Sequence, residues 1–227
     1  QERTEKQMED SIKSEVNRRE VYRYLGLGRH DPDERTALLV EESLVELENA
    51  AAPRFFSRSY PLSVLPDGKL DLTCFRVESR DLSRNLKDCE EVILFAATLG
   101  TGPDLLVRRY SRLEMSRAVV VQAAAAAMIE AWCDRKNGEL KEEALRQGKY
   151  LRPRFSPGYG DFSLDCQKDI IRALEAEKTV GVTLTDSLLM TPSKSVTAVI
   201  GAGRNEFRCE LKGCEVCGKT DCLYRRG

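Results

Sequence analysis

Histidine is nearly missing from this 227-residue chain, where His30 is the only one. That excludes any multi-histidine metal site and any Ser-His-Asp catalysis not built on this residue. In G-R-H-D-P-D it stands beside a helix start and reads as a surface residue. A charge imbalance is missing too, with Lys+Arg at 36 against Asp+Glu at 37 and a formal charge of −1. Such a balance offers no global field to gather nucleic acid or an anionic membrane surface. No run reaches the roughly 18 apolar residues that span a bilayer. The opening stretch Q-E-R-T-E-K-Q-M-E-D is charged where a signal sequence would be apolar. The expectation is a cytoplasmic protein with no nucleic-acid and no membrane partner.

What is present suits one substantial core, with 41% hydrophobic and 32% charged residues. We expect one domain over 1–207 and a cysteine-rich tail over 208–227. Good helix formers over 9–25 stop at Gly26 and Gly28. Asp31 as N-cap and Pro32 in the first turn open a second helix running to Pro53. P-D-G-K between two strand-like runs predicts a β-hairpin over 55–77, and a short helix follows around 81–88. The apolar run Val92 to Gly100 reads as a strand buried on both faces at the sheet centre. From Pro103 the pattern is helical to about Gln147, broken or bent near Asn137-Gly138, and Met115 to Cys133 is apolar nearly all round. Only Arg117 and Glu130 carry charge in that stretch, and a buried carboxylate needs a cation or the rim. A helix over 163–177 and strands over Val180–Leu184 and Val196–Ile200 complete the pattern. Strands and helices mix without a βαβ repeat, which gives α+β: a single curved domain with a mainly antiparallel twisted sheet and packed helices.

Eight cysteines without a signal sequence read as reduced thiols rather than a disulfide scaffold. Cys74, Cys89, Cys133 and Cys166 fall in apolar patterns and read as small buried hydrophobes. The other four, Cys209, Cys214, Cys217 and Cys222, have spacing C-x4-C-x2-C-x4-C. Four thiolates so close together suit either zinc or an iron–sulfur cluster. G-C-E-V-C-G-K-T (213–220) also spells the phosphate-loop pattern. That loop needs an apolar strand before it and a helix after it, and the flanking R-C-E-L-K and D-C-L-Y-R-R-G offer neither. No G-x-G-x-x-G opens a helix after a strand either, which argues against a nucleotide fold.

Two further segments carry the most specific signal. In R-P-R-F-S-P-G-Y-G-D-F (152–162), Pro153 and Pro157 hold the chain out of helix and sheet and Gly158 permits a conformation closed to other residues. The result is a rigid loop with open peptide groups, a guanidinium fork and a tyrosine ring. Downstream stands L-T-D-S-L-L-M-T-P-S-K-S-V-T-A-V-I-G (184–201). In this order the two resemble the S-adenosylmethionine-binding reactivation domain of cobalamin-dependent methionine synthase. V-Y-R-Y-L-G (21–26) and F-A-A-T-L-G (95–100) resemble its free-standing form.

The resemblance implies a protein that serves the reductive reactivation of a corrinoid methyltransferase. An inactive cob(II)alamin on a partner is reduced by a flavodoxin- or ferredoxin-type donor and trapped by methyl transfer from S-adenosylmethionine. The implied partner is a methionine synthase lacking its own reactivation domain, or another corrinoid protein. The cobalamin stays with that partner, since the D-x-H-x-x-G segment of corrinoid carriers is absent. By motif match, Glu130 neutralises the cationic part of the ligand and Arg154 clasps an anionic or carbonyl part. The backbone of Ser156 and Gly158 bonds the adenine or amino-acid portion, and Tyr159 packs beside the methyl. Arg152 competes with Arg154 for the arginine role, and Arg154 has the better distance from Gly158. Where the methionine-synthase form has an aromatic pair after the S-V strand, only Phe207 stands near. No residue is assigned a catalytic role. An alternative of another class is an iron–sulfur redox adaptor that delivers electrons through the tail cysteines, and a third is a module that only docks on a corrinoid protein.

Overall fold

The computed structural model describes residues 11–28 and 30–206. In chain order its elements are α1 (Ile12–Glu15), α2 (Arg18–Tyr24), α3 (Glu34–Ala50), β1 (Arg54–Pro61), β2 (Ser63–Val64), β3 (Leu70–Asp71), β4 (Arg76–Val77), α4 (Arg80–Asn85), β5 (Glu91–Thr98), α5 (Gly102–Leu113), α6 (Met115–Arg146), β6 (Tyr150–Leu151), α7 (Cys166–Leu174), α8 (Ala176–Thr179), β7 (Thr183–Leu184), β8 (Met190–Thr191) and β9 (Ser195–Gly203). Helices and antiparallel strands alternate irregularly, which is the expected α+β class. The described residues among 1–52 and 101–132 make one compact unit, and those among 53–100 and 133–207 make another.

The first unit is helical. The single helix expected over 9–25 is two, because Val16 and Asn17 are extended and the Asn17 side chain caps Arg19 N at 2.9 Å. The cap of α3 is Asp33 rather than Asp31, its carboxylate accepting from Thr36 N at 2.7 Å. His30 is exposed, as expected. A Cβ at Gly102 would stand 1.9 Å from the Ala50 carbonyl oxygen, so only glycine lets α5 begin there. The long helical stretch breaks at Glu114, whose backbone is extended, and runs unbroken through Asn137-Gly138. Nothing lies within 4 Å of a Cβ at Gly138, so that glycine costs the helix only about 1 kcal/mol of propensity and does not end it. Arg117 on α6 pairs with Glu46 at 2.5 Å and Glu42 at 3.2 Å, and Tyr110 donates to Glu46 at 2.6 Å, which ties α3, α5 and α6 together.

The second unit holds a four-stranded antiparallel sheet in the order β1-β5-β9-β6. The apolar run forms β5 at an interior position, buried along nearly its whole length, as a two-faced strand should be. The hairpin expected over 55–77 is only partly right. Its first run, β1, pairs with β5 in the register Arg54↔Thr98 to Pro61↔Glu91. P-D-G-K turns the smaller pair β2 and β3 instead, with β4 on the far side of β3. Leu72, Leu82, Leu94, Phe162, Ile170 and Val199 are among the buried residues of this unit's core. Cys133 is buried, whereas Cys74, Cys89 and Cys166 are half-buried thiols whose pKa values burial pushes up.

Candidate functional site

The loop over 152–162 begins as a sheet edge. Arg152 N donates to Gly201 O at 2.8 Å, and Phe155 exchanges bonds with Val199 at 2.9 and 2.8 Å. The expectation that Pro153 and Pro157 keep the whole segment out of the sheet is therefore corrected: Pro153 sits between two paired residues on an outer strand, where a missing N–H faces no ladder. Arg152 is spent on structure, its guanidinium donating to the Lys87 carbonyl and lying against the Cys89 thiol.

Beyond Phe155 the chain turns on itself. Tyr159 N donates to Ser156 O at 3.2 Å, Gly158 N to Phe162 O at 2.8 Å and Phe162 N to Tyr159 O at 3.0 Å. Gly158 has φ +93, and Gly160 has φ +53 with a notional Cβ only 2.2 Å from Asp81 Oδ2, so neither tolerates a side chain easily. Asp161 anchors the far end by accepting from Ser79 Oγ at 2.5 Å, Arg80 N at 2.8 Å and Asp81 N at 3.1 Å. The Ser79 hydroxyl, then the two amides, hold its carboxyl below the usual carboxylate range. Phe162 is buried beneath, with the Phe155 ring 6.1 Å from it and 6.3 Å from that of Tyr159.

What this frame presents is Arg154 and Tyr159. The Arg154 side chain is 17% exposed and donates from Nη2 to Asp134 Oδ1 at 2.8 Å. Its guanidinium carbon lies 5.7 Å from the centre of the Phe95 ring, a cation over an aromatic face. Tyr159 is 67% exposed. Ser156 is half-buried and Gly158 exposed. Of the backbone expected to bond the ligand, the Gly158 amide is committed inside the loop, to Phe162 O, and Ser156 O accepts from Tyr159 N.

The second segment divides: no residue over 184–191 is buried, whereas most of those over 192–201 are. Thr185 Oγ1 lies 2.9 Å from Ser187 Oγ and accepts from Leu189 N at 3.1 Å. Ser195 Oγ lies 2.8 Å from Thr98 Oγ1 and 2.7 Å from the Pro192 carbonyl. Leu99 N donates to Lys194 O at 2.9 Å, and Gly100 N to Thr98 Oγ1 at 3.0 Å. T-P-S-K-S and F-A-A-T-L-G are thus two halves of one buried joint, a connection that their separation in sequence concealed.

Glu130 belongs to the first unit and the other four expected ligand residues to the second. It is half-buried on α6. Burial and then its negative charge raise the pKa of Tyr24, a residue of V-Y-R-Y-L-G, and Arg23 stacks 4.5 Å over the Tyr24 ring. Sequence reasoning had not joined that motif to Glu130. Beside them Arg23, Tyr24, Ser111, Val119, Gln122 and Ala126 help line an apolar groove of about 600 Å³.

Among the described residues no three of His, Cys, Asp and Glu are placed to hold a metal ion, and no helix is long and apolar enough to cross a membrane. Cys209, Cys214, Cys217, Cys222 and Phe207 lie outside the described residues.

Residues 84–210 match the family model described as vitamin B12 dependent methionine synthase, activation domain. No curated protein matches the chain. Among solved structures the chain is similar to the MetH reactivation domain bound to AdoHcy, at 20% identity and a TM-score of 0.58, over 77% of this chain and 66% of that one. The chain therefore spans just under two thirds of that relative, and the likeness shows the shared fold. The matched stretch runs from within α4 through β5, α6, the Pro-Gly-Tyr loop and all of β9, more than half of the sequence; the chain belongs to the family of vitamin B12-dependent methionine synthase activation domains.

Proposed function

We propose that the protein binds S-adenosylmethionine and presents it for the reductive reactivation of a corrinoid methyltransferase, a methionine synthase lacking its own reactivation domain being the first candidate. The observation that carries this reading is the Arg154–Tyr159 pairing: a nearly buried guanidinium over Phe95 and an exposed ring, both set on a loop pinned by Asp161. The family membership and the AdoHcy held by the similar MetH domain support it.

The ligand's chemistry fits those groups. Its carboxylate calls for a charge-assisted bond from a planar fork, the role of Arg154. Its sulfonium and methyl call for a polarisable apolar neighbour, the role of Tyr159. The carbonyls of Ser156 and Gly158 suit its amino groups, and a carboxylate such as Glu130 suits its positive charge. In the transfer, the methyl's bond to sulfur breaks, a cobalt–carbon bond forms on the partner's reduced corrinoid, and neutral S-adenosylhomocysteine leaves. The reducing electron comes from a flavodoxin- or ferredoxin-type donor.

Calorimetric titration with S-adenosylmethionine tests the reading. The expected result is saturable heat in the micromolar range or weaker, reduced by Glu130→Gln in a protein that stays folded. No heat at millimolar ligand, with and without a corrinoid partner, would sink it.

The tail spacing C-x4-C-x2-C-x4-C favours a second reading, a redox adaptor whose iron–sulfur cluster is built from Cys209, Cys214, Cys217 and Cys222. Four-thiolate binding energy is also folding energy, and the polar residues around these cysteines bury little. Iron analysis and a visible spectrum of anaerobically purified protein should show about one cluster per chain, lost when Cys214 and Cys217 become Ser. Zinc in place of iron would make the tail a structural metal site and refute the adaptor reading, and so would the absence of both metals.

A further inference from the structure

Arg154 already holds a carboxylate. Its Nη2 donates to Asp134 Oδ1 at 2.8 Å, the geometry a ligand's α-carboxylate would adopt on the same fork. The two partners are unlike. The Arg154 side chain keeps 17% of its surface and is backed by Phe95, itself buttressed by Phe55 at a centroid distance of 5.0 Å. Asp134 keeps 73% of its surface, on α6 beside the buried Cys133. The guanidinium is the fixed member, then, and the carboxylate can turn into water with little loss, because a well-hydrated ion forfeits only a weak interaction when its pair opens.

We propose that Asp134 is a resident stand-in for the ligand carboxylate. It occupies a donor of Arg154 and yields that donor to an incoming amino-acid carboxylate. Resting on the S-adenosylmethionine reading above, this assigns Asp134 a part in selectivity: ligands with a carboxylate displace it, and ligands without one have no use for the donor it holds. Its cost is a lower affinity for every ligand that must displace it. Its benefit is a guanidinium kept in a binding-ready orientation.

The sign of one substitution separates this role from simple electrostatics. A carboxylate that attracted the sulfonium would weaken S-adenosylmethionine binding when removed, whereas a competitor would strengthen it. Calorimetry on Asp134→Ala is therefore run with three probes: S-adenosylmethionine, S-adenosylhomocysteine and 5′-methylthioadenosine, which lacks the amino-acid portion. The expected result is about two- to fivefold tighter binding of the first two, the range an exposed ion pair allows, with the third unchanged. On an Arg154→Ala background the gain should vanish. Weaker or unchanged binding of the carboxylate-bearing probes, or equal tightening of all three, would overturn the proposal while leaving the ligand assignment intact. Wild-type protein that binds none of the three would remove the ligand assignment and this inference with it.

Discussion

The loop over 152–162 and the turn over 191–195 differ in what they do with their polar groups. In the loop, buried Pro157 and Phe162 and the capping Asp161 hold the shape, while the Tyr159 ring is exposed and the largely buried Arg154 fork meets the water-facing Asp134. In the turn, Lys194 and Ser195 are buried, and the Ser195 hydroxyl is enclosed by Thr98 and the Pro192 carbonyl. Equally specific motifs can thus mark a binding surface or a joint. Exposure of the polar atoms, which the letters do not reveal, decides between them.

The sharpest way to break this contrast is to cross the two readouts. Arg154→Ala should weaken S-adenosylmethionine binding by about 1.5–3 kcal/mol, as loss of a charge-assisted bond does. Arg152→Ala, two residues earlier, should leave the Kd within about 0.5 kcal/mol of wild type because its guanidinium serves the Lys87 carbonyl. Equal effects from the two arginines would show that the loop is structural throughout. Ser195→Ala should do the reverse, lowering stability in denaturant by about 1–3 kcal/mol by stranding buried partners and leaving the Kd unchanged. A Ser195→Ala protein of wild-type stability with impaired binding would move the turn into the site.

The smallest effect concerns the loop's own anchor. The folded Asp161 carboxyl is held below its ordinary pKa, so its contribution is present above the unfolded value of about 3.9 and is lost as pH falls through the folded value. The stability gap between wild type and Asp161→Asn, followed by urea melts from pH 7 to pH 2, should be full at neutral pH and close in acid. A gap independent of pH would mean that the cap works through its shape and not its charge.

Much of this was legible in the letters, for reasons that differ by element. The run Val92 to Gly100 has one reading as an interior strand, since nothing in it can face water. The Arg154-to-Gly158 spacing singled out the arginine that pairs with the Asp134 carboxylate, and the helical period of Met115 to Cys133 is unbroken. What stayed hidden were choices between near-equivalent local solutions and pairings distant in sequence. Asp31 and Asp33 are both good caps. Phe55 to Tyr60 could pair with its hairpin neighbour or with β5, and it pairs with β5. The Thr98–Ser195 joint and the Arg154–Asp134 ion pair link residues 97 and 20 positions apart, beyond the reach of any local pattern.

The most direct test of the division between surface loop and buried joint is amide chemical-shift mapping of the folded protein with and without S-adenosylmethionine. The account predicts perturbations concentrated at 154–160 and at the Arg154 side-chain Nε, with Leu99, Lys194 and Ser195 scarcely moved. Shifts centred on the 191–195 turn with a silent 154–160 loop would contradict it.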